Sequence, residues 1–344
     1  MDPSSGATQT KVDFSPTRMV TTLVGVILVA AIAYWYGANS VELPIPNEGR
    51  VLKNFGLNTD ARNHLDKRYT DRDGDLVADA PGEPADWIDP DTLMFSYGSE
   101  QQAYHHTESV WAELVDYLVE QTGKPVEFVA IGTPQEQISA LAEGKLHIAG
   151  SNPGNVPLLV NMCGFVPVCT VSKDGKMQAV YRMQIIVPTE STANIPEDLS
   201  GRMLTLTDPS SNSGWKAPLV ILMNEFGFEP MRDYVTNYSG SHIASIKGVA
   251  KGEYDAAAVA DTEVALAIER GDIAEDQVKV IYSSKPFPYD CIGHLHNLRP
   301  ELANKVWKAL LSFDWSGTSL EAEFKSLCFY GYVEMSYKDM MATV

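Results

Sequence analysis

The sequence predicts an α/β protein with two lobes that form a hinged clamshell, preceded by an N-terminal transmembrane helix. Three observations lead to this prediction. Residues 19–37 form an uncharged apolar run, short apolar runs alternate with amphipathic segments after Pro90, and this alternation occurs in two similar sets. Strands separated by helices of this length form right-handed βαβ units, so each set predicts a mostly parallel sheet.

The composition fits two folded lobes and excludes one class of partner. The chain has 344 residues, of which 44% are hydrophobic and 21% charged, close to an average globular protein. Its formal net charge is −19 and its pI is near 4.7. Such a surface repels nucleic acid and anionic headgroups. We therefore exclude a nucleic-acid-binding role and expect any anion site to depend on local donors.

The first apolar run predicts a membrane anchor. Residues 19–37 contain no charged side chain, and about 20 apolar residues span a bilayer as a helix. Lys11 and Arg18 precede the run, whereas Arg50 is the first positive residue after it. The positive-inside rule then places residues 1–18 in the cytoplasm and the main domain outside, in contact with the bilayer only through the anchor. A cleaved signal peptide is the alternative, but the length of the run favours an uncleaved anchor.

Residues 38–90 have an irregular pattern that predicts a linker, and this linker contains a candidate calcium loop. In the segment DRDGDLVAD, alternate carboxylates are spaced to converge on one hard cation. The segment resembles D-x-D-G-D calcium loops of the thrombospondin type. It has Leu76 where glycine is usual and no Glu at position twelve, so a solvated acidic turn is the alternative. The predicted ligands of a structural Ca²⁺ are Asp71, Asp73, Asp75 and Asp79.

Four cysteines leave two interpretations open. An even number in an exported protein suggests two disulfides, and Cys163–Cys169 with Cys291–Cys328 is the pairing we prefer among three. Four reduced thiols are an equal alternative, because free cysteine packs as a small hydrophobe.

Two sets of elements follow, the second inserted into the first. They place the first lobe at 91–187 plus 286–344 and the second lobe at 188–285, with a hinge near Val187 and Pro286. Ligands of such folds bind at the carboxyl ends of strands, where helices begin. The predicted strands are 93–97, 126–130, 146–149, 179–187, 203–207, 234–238, 255–260 and 278–282. The predicted helices are 106–121, 135–143, 215–226, 241–251, 262–270, 300–311, 319–327 and 336–341.

Segments rich in small polar residues lie at several strand-to-helix junctions. They are DPSSNSGW at 208–215, SGSH at 239–242 with EYDA at 253–256 and VAD at 259–261, KLHIAGSNPGN at 145–155 and PFPYD at 286–290. In order and spacing they resemble the substrate-binding proteins of phosphonate, phosphite and phosphate ABC importers, which have the type II periplasmic binding protein fold. The resemblance covers about 93–311. It implies a protein that captures a small phosphorus oxyanion for the membrane permease of an importer, and the predicted anchor at 19–37 would tether that protein to the membrane.

The first of these segments predicts an oxyanion grip. In the resembling family, the D-P-x-S-x-S-G segment holds phosphorus-bound oxygens, which corresponds here to Ser211, Asn212 and Ser213. The chemistry agrees, because the first N–H groups of a helix lack intrahelical partners and the macrodipole adds positive charge there. Helix capping alone is the alternative. Because these donors are neutral, we expect a site that needs no Lys or Arg.

The resemblance implies further ligand contacts. His242 matches a family histidine that donates to the same phosphoryl group. Asp261 matches an acid that faces the ligand, with an N-cap of the following helix as the equal alternative. On the opposing side, Tyr181 falls near a family tyrosine that closes over the ligand. Asn152 and Asn155 flank Pro153-Gly154, where the sequence departs from the family, and are predicted to open a helix at the ligand. Tyr97, Ser99 and Gln101, after the first strand, are also predicted to line the cleft.

No enzyme is expected, and binding needs no cofactor. The sequence contains no G-x-S-x-G elbow, H-E-x-x-H pair, P-loop or dinucleotide-binding glycine pattern. Departures from the family, such as Asn212 where Thr is usual, leave the organic part of the ligand open. The alternatives are a ligand-sensing or partner-docking component that uses the same clamshell and, less favoured, an enzyme on this fold.

Overall fold

The computed structural model describes residues 65–98 and 108–341. Its strands are β1 Leu93–Tyr97, β2 Val126–Phe128, β3 Ile148–Ser151, β4 Phe165–Ser172, β5 Val180–Tyr181, β6 Met183–Pro188, β7 Met203–Leu206, β8 Val235–Tyr238, β9 Ala256–Ala260, β10 Val278–Ser283, β11 Phe287–Pro288, β12 Cys291–Leu295 and β13 Gly331–Glu334. Its α-helices are α1 Glu108–Thr122, α2 Pro134–Ala142, α3 Val156–Cys163, α4 Ala217–Phe226, α5 His242–Ala250, α6 Asp261–Glu269, α7 Pro300–Ser312, α8 Ser319–Phe324 and α9 Tyr337–Met341. A π-helical turn, Asn212–Lys216, precedes α4.

The first sheet has the strand order β13-β4-β12-β3-β1-β2. Strand β1 pairs in parallel with β2 and β3, as the βαβ pattern predicts. The other strands join by antiparallel pairing, β12 with β3 and β4, and β13 with β4. The prediction of a mostly parallel sheet is therefore wrong for this sheet, because β4, β12 and β13 were not foreseen. Each of these strands pairs with a strand that is distant in sequence. No single connecting helix therefore predicts the pairing.

The second sheet has the order β10-β6-β9-β7-β8. Strand β7 pairs in parallel with β8 and β9, whereas β6 is antiparallel to β9 and β10. The central strand β9 is fully buried and consists of small residues, which allows helices to pack closely on both faces. Since β6 begins at Met183, the chain enters this sheet before residue 188, the lobe boundary that we predicted.

A short two-stranded ribbon lies where the chain passes between the sheets. Strand β5 pairs antiparallel with β11, and Tyr181 lies opposite Phe287. The ring of Tyr181 packs on Phe287 at 5.8 Å and on Tyr289 at 5.6 Å. Tyr289 in turn contacts Phe329 of the first lobe at 4.8 Å. The two crossings are thus held side by side by backbone hydrogen bonds and aromatic packing.

Local sequence explains where several helices begin. Thr133 caps α2 by accepting from the N–H of Glu136 at 3.2 Å, and Pro134 occupies the first helical position. Thr318 caps α8 in the same way. The long helix α1 buries Trp111, Leu114 and Leu118 along one face against the first sheet.

The predicted anchor, 19–37, lies outside the described residues. Within 65–98 and 108–341, no helix is both long enough and apolar enough to span a bilayer.

All four cysteines are free thiols in the structure. The preferred disulfides Cys163–Cys169 and Cys291–Cys328 are therefore not formed. Cys163, at the end of α3, donates to the carbonyl of Ile138 at 3.5 Å. Cys169 and Cys291 are buried in the neighbouring strands β4 and β12, and Cys328 is exposed. Burial raises the thiol pKa of Cys163 to about 11. The alternative of small hydrophobic thiols fits the three buried residues.

Gly293 is predicted to be required in the first sheet. Strand β12 bulges between Ile292 and Gly293, and a Cβ at 293 would overlap the carbonyl oxygen of Val166. We expect Gly293→Ala to lower the free energy of unfolding by about 1–3 kcal/mol through overpacking. Gly331→Ala is the matched control, since a Cβ in β13 meets nothing within 4 Å. Urea denaturation of both variants measures the effect, and equal stabilities would contradict this prediction.

Candidate functional site

The loop after β7 is built from buried hydroxyl and amide side chains. Asp208 accepts from the N–H and the hydroxyl of Ser210, which fixes the start of the loop. Ser211 follows as the N-cap, and its Oγ accepts from the N–H of Gly214 at 3.1 Å. All four polar residues from Ser210 to Ser213 are buried. The predicted trio Ser211, Asn212 and Ser213 therefore lies at a helix start, as expected.

A π-helical turn shapes this helix start. The N–H of Ala217 donates to the carbonyl of Asn212, five residues back. The N–H of Lys216 likewise donates to the carbonyl of Ser211 at 3.2 Å. Such turns insert a residue into a helix and are frequent at functional sites. Gly214 is needed here, because a Cβ would overlap the hydroxyl of Thr207. The turn leaves its first N–H groups without intrahelical acceptors.

His242, at the start of α5, is held in one neutral tautomer. The N–H of Ala260 donates to its Nδ1 at 3.2 Å, so Nδ1 is the acceptor and Nε2 carries the proton. Nε2 therefore donates to Ser211 Oγ at 3.0 Å. Burial lowers the pKa of His242 to about 4, which keeps the ring neutral at pH 7. Since Ser211 Oγ accepts from both His242 and Gly214, its own hydrogen remains to donate.

Tyr181 is brought to the same loop from the ribbon. The side-chain nitrogen of Asn212 donates to the Tyr181 hydroxyl oxygen at 3.0 Å, and both side chains are buried. This contact joins the loop at 208–213 of the second lobe, named the oxyanion loop after its predicted role, to the crossing between the lobes. The structure thus places together four of the predicted residues, Ser211, Asn212, His242 and Tyr181.

The loop between β3 and α3 brings the first lobe to the site. Asn152 donates through its side-chain nitrogen to the carbonyl of Ser210 at 3.4 Å, and its Oδ1 accepts from the N–H of Asn155. Asn155 is the N-cap residue of α3, but its side chain makes no capping hydrogen bond. It contacts Lys216 instead, at 2.7 Å. Both predicted asparagines therefore meet the second lobe.

Asp261 and Tyr97 have different surroundings from the loop residues. One carboxylate oxygen of Asp261 accepts from the N–H of Arg182 at 3.0 Å and from that of Thr262 at 2.8 Å. This carboxylate ties the ribbon to the start of α6, directly after Ala260. Tyr97 is buried against Trp111 at 4.2 Å and against Gly150, so it supports the end of β3 from the core. Ser99 and Gln101 lie outside the described residues.

Lys216 is the residue that the sequence analysis missed. It is 8% exposed, and its Nζ donates to the carbonyl of Gly154 at 3.0 Å as well as to Asn155. A cation thus lies beside the oxyanion loop, and the expectation that the site would need no Lys or Arg is incomplete. No local sequence signal marks this contact, because both acceptors lie in the loop between β3 and α3, 62 and 61 residues away along the chain.

Buried polar atoms without partners are spread over the described chain, and three of them lie near the carboxyl ends of strands. Among the described residues, Ser151 Oγ at the end of β3, Thr207 Oγ1 just after β7 and Asn155 Nδ2 have no hydrogen-bond partner. Buried polar groups are normally satisfied, so these three atoms are available to hydrogen-bond a ligand or a water. Carboxyl strand ends are also where α/β folds bind ligands.

The candidate calcium loop is partly assembled. Single carboxylate oxygens of Asp71, Asp73 and Asp75 lie within 4.8 Å of one another. Asp79 instead accepts from Nε of Arg72 at 2.9 Å. Leu76 has a φ of 71°, the left-handed conformation that glycine adopts readily. The oxygen donors suit a hard cation, and the calcium site stays a prediction.

Comparison with known proteins decides the family. The sequence profile of a family described as "ABC transporter, phosphonate, periplasmic substrate-binding protein" matches residues 100–340. The chain belongs to this family. It is therefore a substrate-binding protein and not an enzyme, and its family places the main domain outside the cytoplasm.

Solved structures show the same fold. A binding protein of an ABC phosphonate transporter from Pseudomonas aeruginosa is 17% identical, with a TM-score of 0.62 over 74% of this chain and 84% of that one. PhnD1 from Prochlorococcus marinus, solved with methylphosphonate, is 14% identical, with a TM-score of 0.61 over 74% and 96%. XAC2383 from Xanthomonas citri, solved with chloride, is 17% identical, with a TM-score of 0.61 over 73% and 94%. The periplasmic binding protein fold is thereby confirmed.

The neutral state of His242 predicts a pH dependence. Its pKa is 6.5 in an ordinary environment and about 4 in this substrate-binding protein. Between these values the unfolded chain binds more protons, so the free energy of unfolding falls as the pH falls from 6.5 to 4. We expect His242→Gln to reduce this slope in chemical denaturation. His147, His294 and His296, whose pKa burial also lowers, remain in both proteins and cancel in the comparison. Equal slopes in the His242→Gln variant and the unsubstituted protein would contradict a buried, neutral His242.

Proposed function

We propose that this substrate-binding protein captures a small phosphorus oxyanion (a phosphonate, phosphite or phosphate) between its two lobes. The observation that carries the proposal is the buried donor set at the π-helical turn, where His242 and Gly214 both donate to the Ser211 hydroxyl oxygen. With its acceptor capacity filled, Ser211 Oγ is left to act as a donor. A tetrahedral oxyanion supplies the acceptor that such a site needs.

Each member of the set has a separate role in the proposal. Ser211, Ser213 and the first N–H groups of the turn donate to the phosphorus-bound oxygens, with support from the helix dipole. His242 holds Ser211 in its donating orientation. Asn212 positions the Tyr181 hydroxyl, and the first lobe closes from the opposite side through Asn155.

Local donors also explain how a chain of net charge −19 holds an anion. The long-range field of the surface repels anions, but it is screened within about 8–10 Å at physiological ionic strength. Buried N–H and O–H groups act at hydrogen-bond distance, where their directed dipoles outweigh that field. The neutral His242 adds no charge, and Lys216 adds one positive charge beside the loop.

We further propose that the protein delivers the ligand to an importer's permease while an anchor at 19–37 tethers it to the cytoplasmic membrane. The family supports the delivery role. The absence of charge along this run supports the anchor. A tether would raise the concentration of the loaded protein near the permease.

Calorimetry with a ligand panel tests the proposed ligand class. The purified protein is titrated with phosphite, phosphate, methylphosphonate, 2-aminoethylphosphonate and sulfate. We expect at least one phosphorus oxyanion to bind, and Ser211→Ala to weaken that binding by about 10- to 100-fold through loss of a donor to a charged group. Binding of none of them, alongside clear binding of an unrelated sugar or amino acid, would overturn the ligand class.

Ser319→Ala is the matched control for Ser211→Ala. The Ser319 hydroxyl donates to Glu113 at 3.1 Å in the first lobe, away from the oxyanion loop. Its removal deletes the same atom, so an equal loss of affinity in both variants would show that the effect is not local.

Fractionation of cells tests the tether. The full chain is expected in the membrane fraction with its N-terminus intact, whereas deletion of 19–37 releases it because no apolar helix then crosses the bilayer. Intact-mass measurement of the membrane-bound protein is the check. Recovery of a soluble chain that begins near Ser40 would indicate a cleaved signal peptide instead.

A further inference from the structure

Lys216, in the second lobe, reaches the first lobe beside the oxyanion loop. Its Nζ donates to the carbonyl of Gly154 at 3.0 Å and to Asn155 Oδ1 at 2.7 Å. Both acceptors lie in the loop between β3 and α3, whereas Lys216 ends the π-helical turn. The lobes are therefore joined here by charge-assisted hydrogen bonds, which are stronger than those between neutral groups.

This lysine determines which end of the Asn155 amide faces it. An ammonium group has donors only, so the amide oxygen must face Lys216 and Nδ2 must face away. Asn155 is 2% exposed. Its Nδ2 has no hydrogen-bond partner in the part of the chain that the structure describes. A buried amide donor of this kind requires an acceptor, and a ligand oxygen held at the contact between the two loops can supply one.

Gly154 permits this close approach of the two lobes. A Cβ at 154 would lie 3.1 Å from Asn212 Cβ and 3.2 Å from Lys216 Cδ. A larger residue would therefore separate the asparagine loop from the oxyanion loop. Asn155 directly follows Gly154, whose backbone lies close to Asn212. The Asn155 amide is therefore held near the middle residue of the predicted oxyanion trio.

We propose that Lys216 is a positioning residue that orients the Asn155 amide, so that Nδ2 becomes the first lobe's donor to the bound ligand. The inference rests on the proposed function and adds a contact from the opposite lobe. Ser211 donates from the second lobe and Asn155 from the first, and Lys216 fixes the second of these donors.

Donors from two lobes favour one geometry of ligand. A tetrahedral oxyanion directs its oxygens to several sides, so one can reach Ser211 while another reaches Asn155. A carboxylate has only two oxygens, both in one plane, so it offers fewer directions from which donors of two lobes can approach. We therefore expect methylphosphonate to bind at least about tenfold more tightly than acetate, because each additional hydrogen bond to a charged group adds that much affinity.

Calorimetry with methylphosphonate on substituted full chains tests the inference. Asn155→Asp keeps an oxygen towards Lys216 but replaces the Nδ2 donor with an oxygen that repels the ligand. We expect its affinity to fall by about 100-fold or more, with no loss of thermal stability in the absence of ligand. Lys216→Met releases the amide, and a fall of about tenfold is expected.

Lys279→Met is the matched control. Lys279 donates to a backbone carbonyl, that of Ser191 at 2.7 Å, and to an asparagine oxygen, Oδ1 of Asn194 at 2.9 Å. These are the same two kinds of acceptor, but both lie in the second lobe. We expect methylphosphonate to bind this variant as it binds the unsubstituted protein.

The outcomes separate this inference from the proposed function. If the unsubstituted protein binds methylphosphonate and Asn155→Asp binds it equally well, Asn155 is not a ligand donor. If Lys216→Met and Lys279→Met behave alike, Lys216 does not position the amide. If the unsubstituted protein binds no phosphorus oxyanion, the proposed function itself fails and this inference fails with it.

Discussion

The π-helical turn at Asn212–Lys216 is the constraint on which the rest of the site depends. Its hydrogen bonds reach five residues back instead of four, so the turn holds one residue more than an α-helical turn. Asn212 thereby meets Tyr181 on the ribbon while Lys216 meets the loop of the first lobe. This π-helical turn itself requires Gly214, because any side chain there would overlap Thr207. One segment of the second lobe thus organises contacts to the ribbon and to the opposite lobe.

Electrostatics in the site follow from local hydrogen bonds and not from the charge of the whole chain. The N–H of Ala260 selects the tautomer of His242, and burial keeps that ring uncharged. The histidine then fills an acceptor position on Ser211 and leaves the hydroxyl to donate. A protonated histidine would lose the bond from Ala260, since both of its nitrogens would be donors. The donors of the proposed site are therefore fixed, neutral dipoles, with Lys216 as the nearby charge.

The crossings between the two sheets decide which elements can meet. Strands β5 and β11 pair side by side, so backbone hydrogen bonds join the two passages of the chain in one ribbon. Tyr181 lies on this ribbon and also contacts the oxyanion loop, and the carboxylate of Asp261 binds the backbone beside it at Arg182. Closure of a clamshell occurs by changes in a few connecting residues. In this fold those residues are hydrogen-bonded directly to the loop that is proposed to hold the ligand.

The sequence by itself determined the helices and strands of the βαβ units, because their periodicity and caps are local properties. It also indicated the Ser211–Ser213 segment, since small polar residues before an apolar helix mark an N-terminus. Only the tertiary structure decided the antiparallel additions β4, β12 and β13, whose partners lie far away along the chain. The same holds for Lys216, which reads as an ordinary helix residue until the first lobe brings Gly154 and Asn155 to its ammonium group. A contact between the two lobes depends on how distant parts of the chain are brought together in the fold. The local sequence around Lys216 does not encode this.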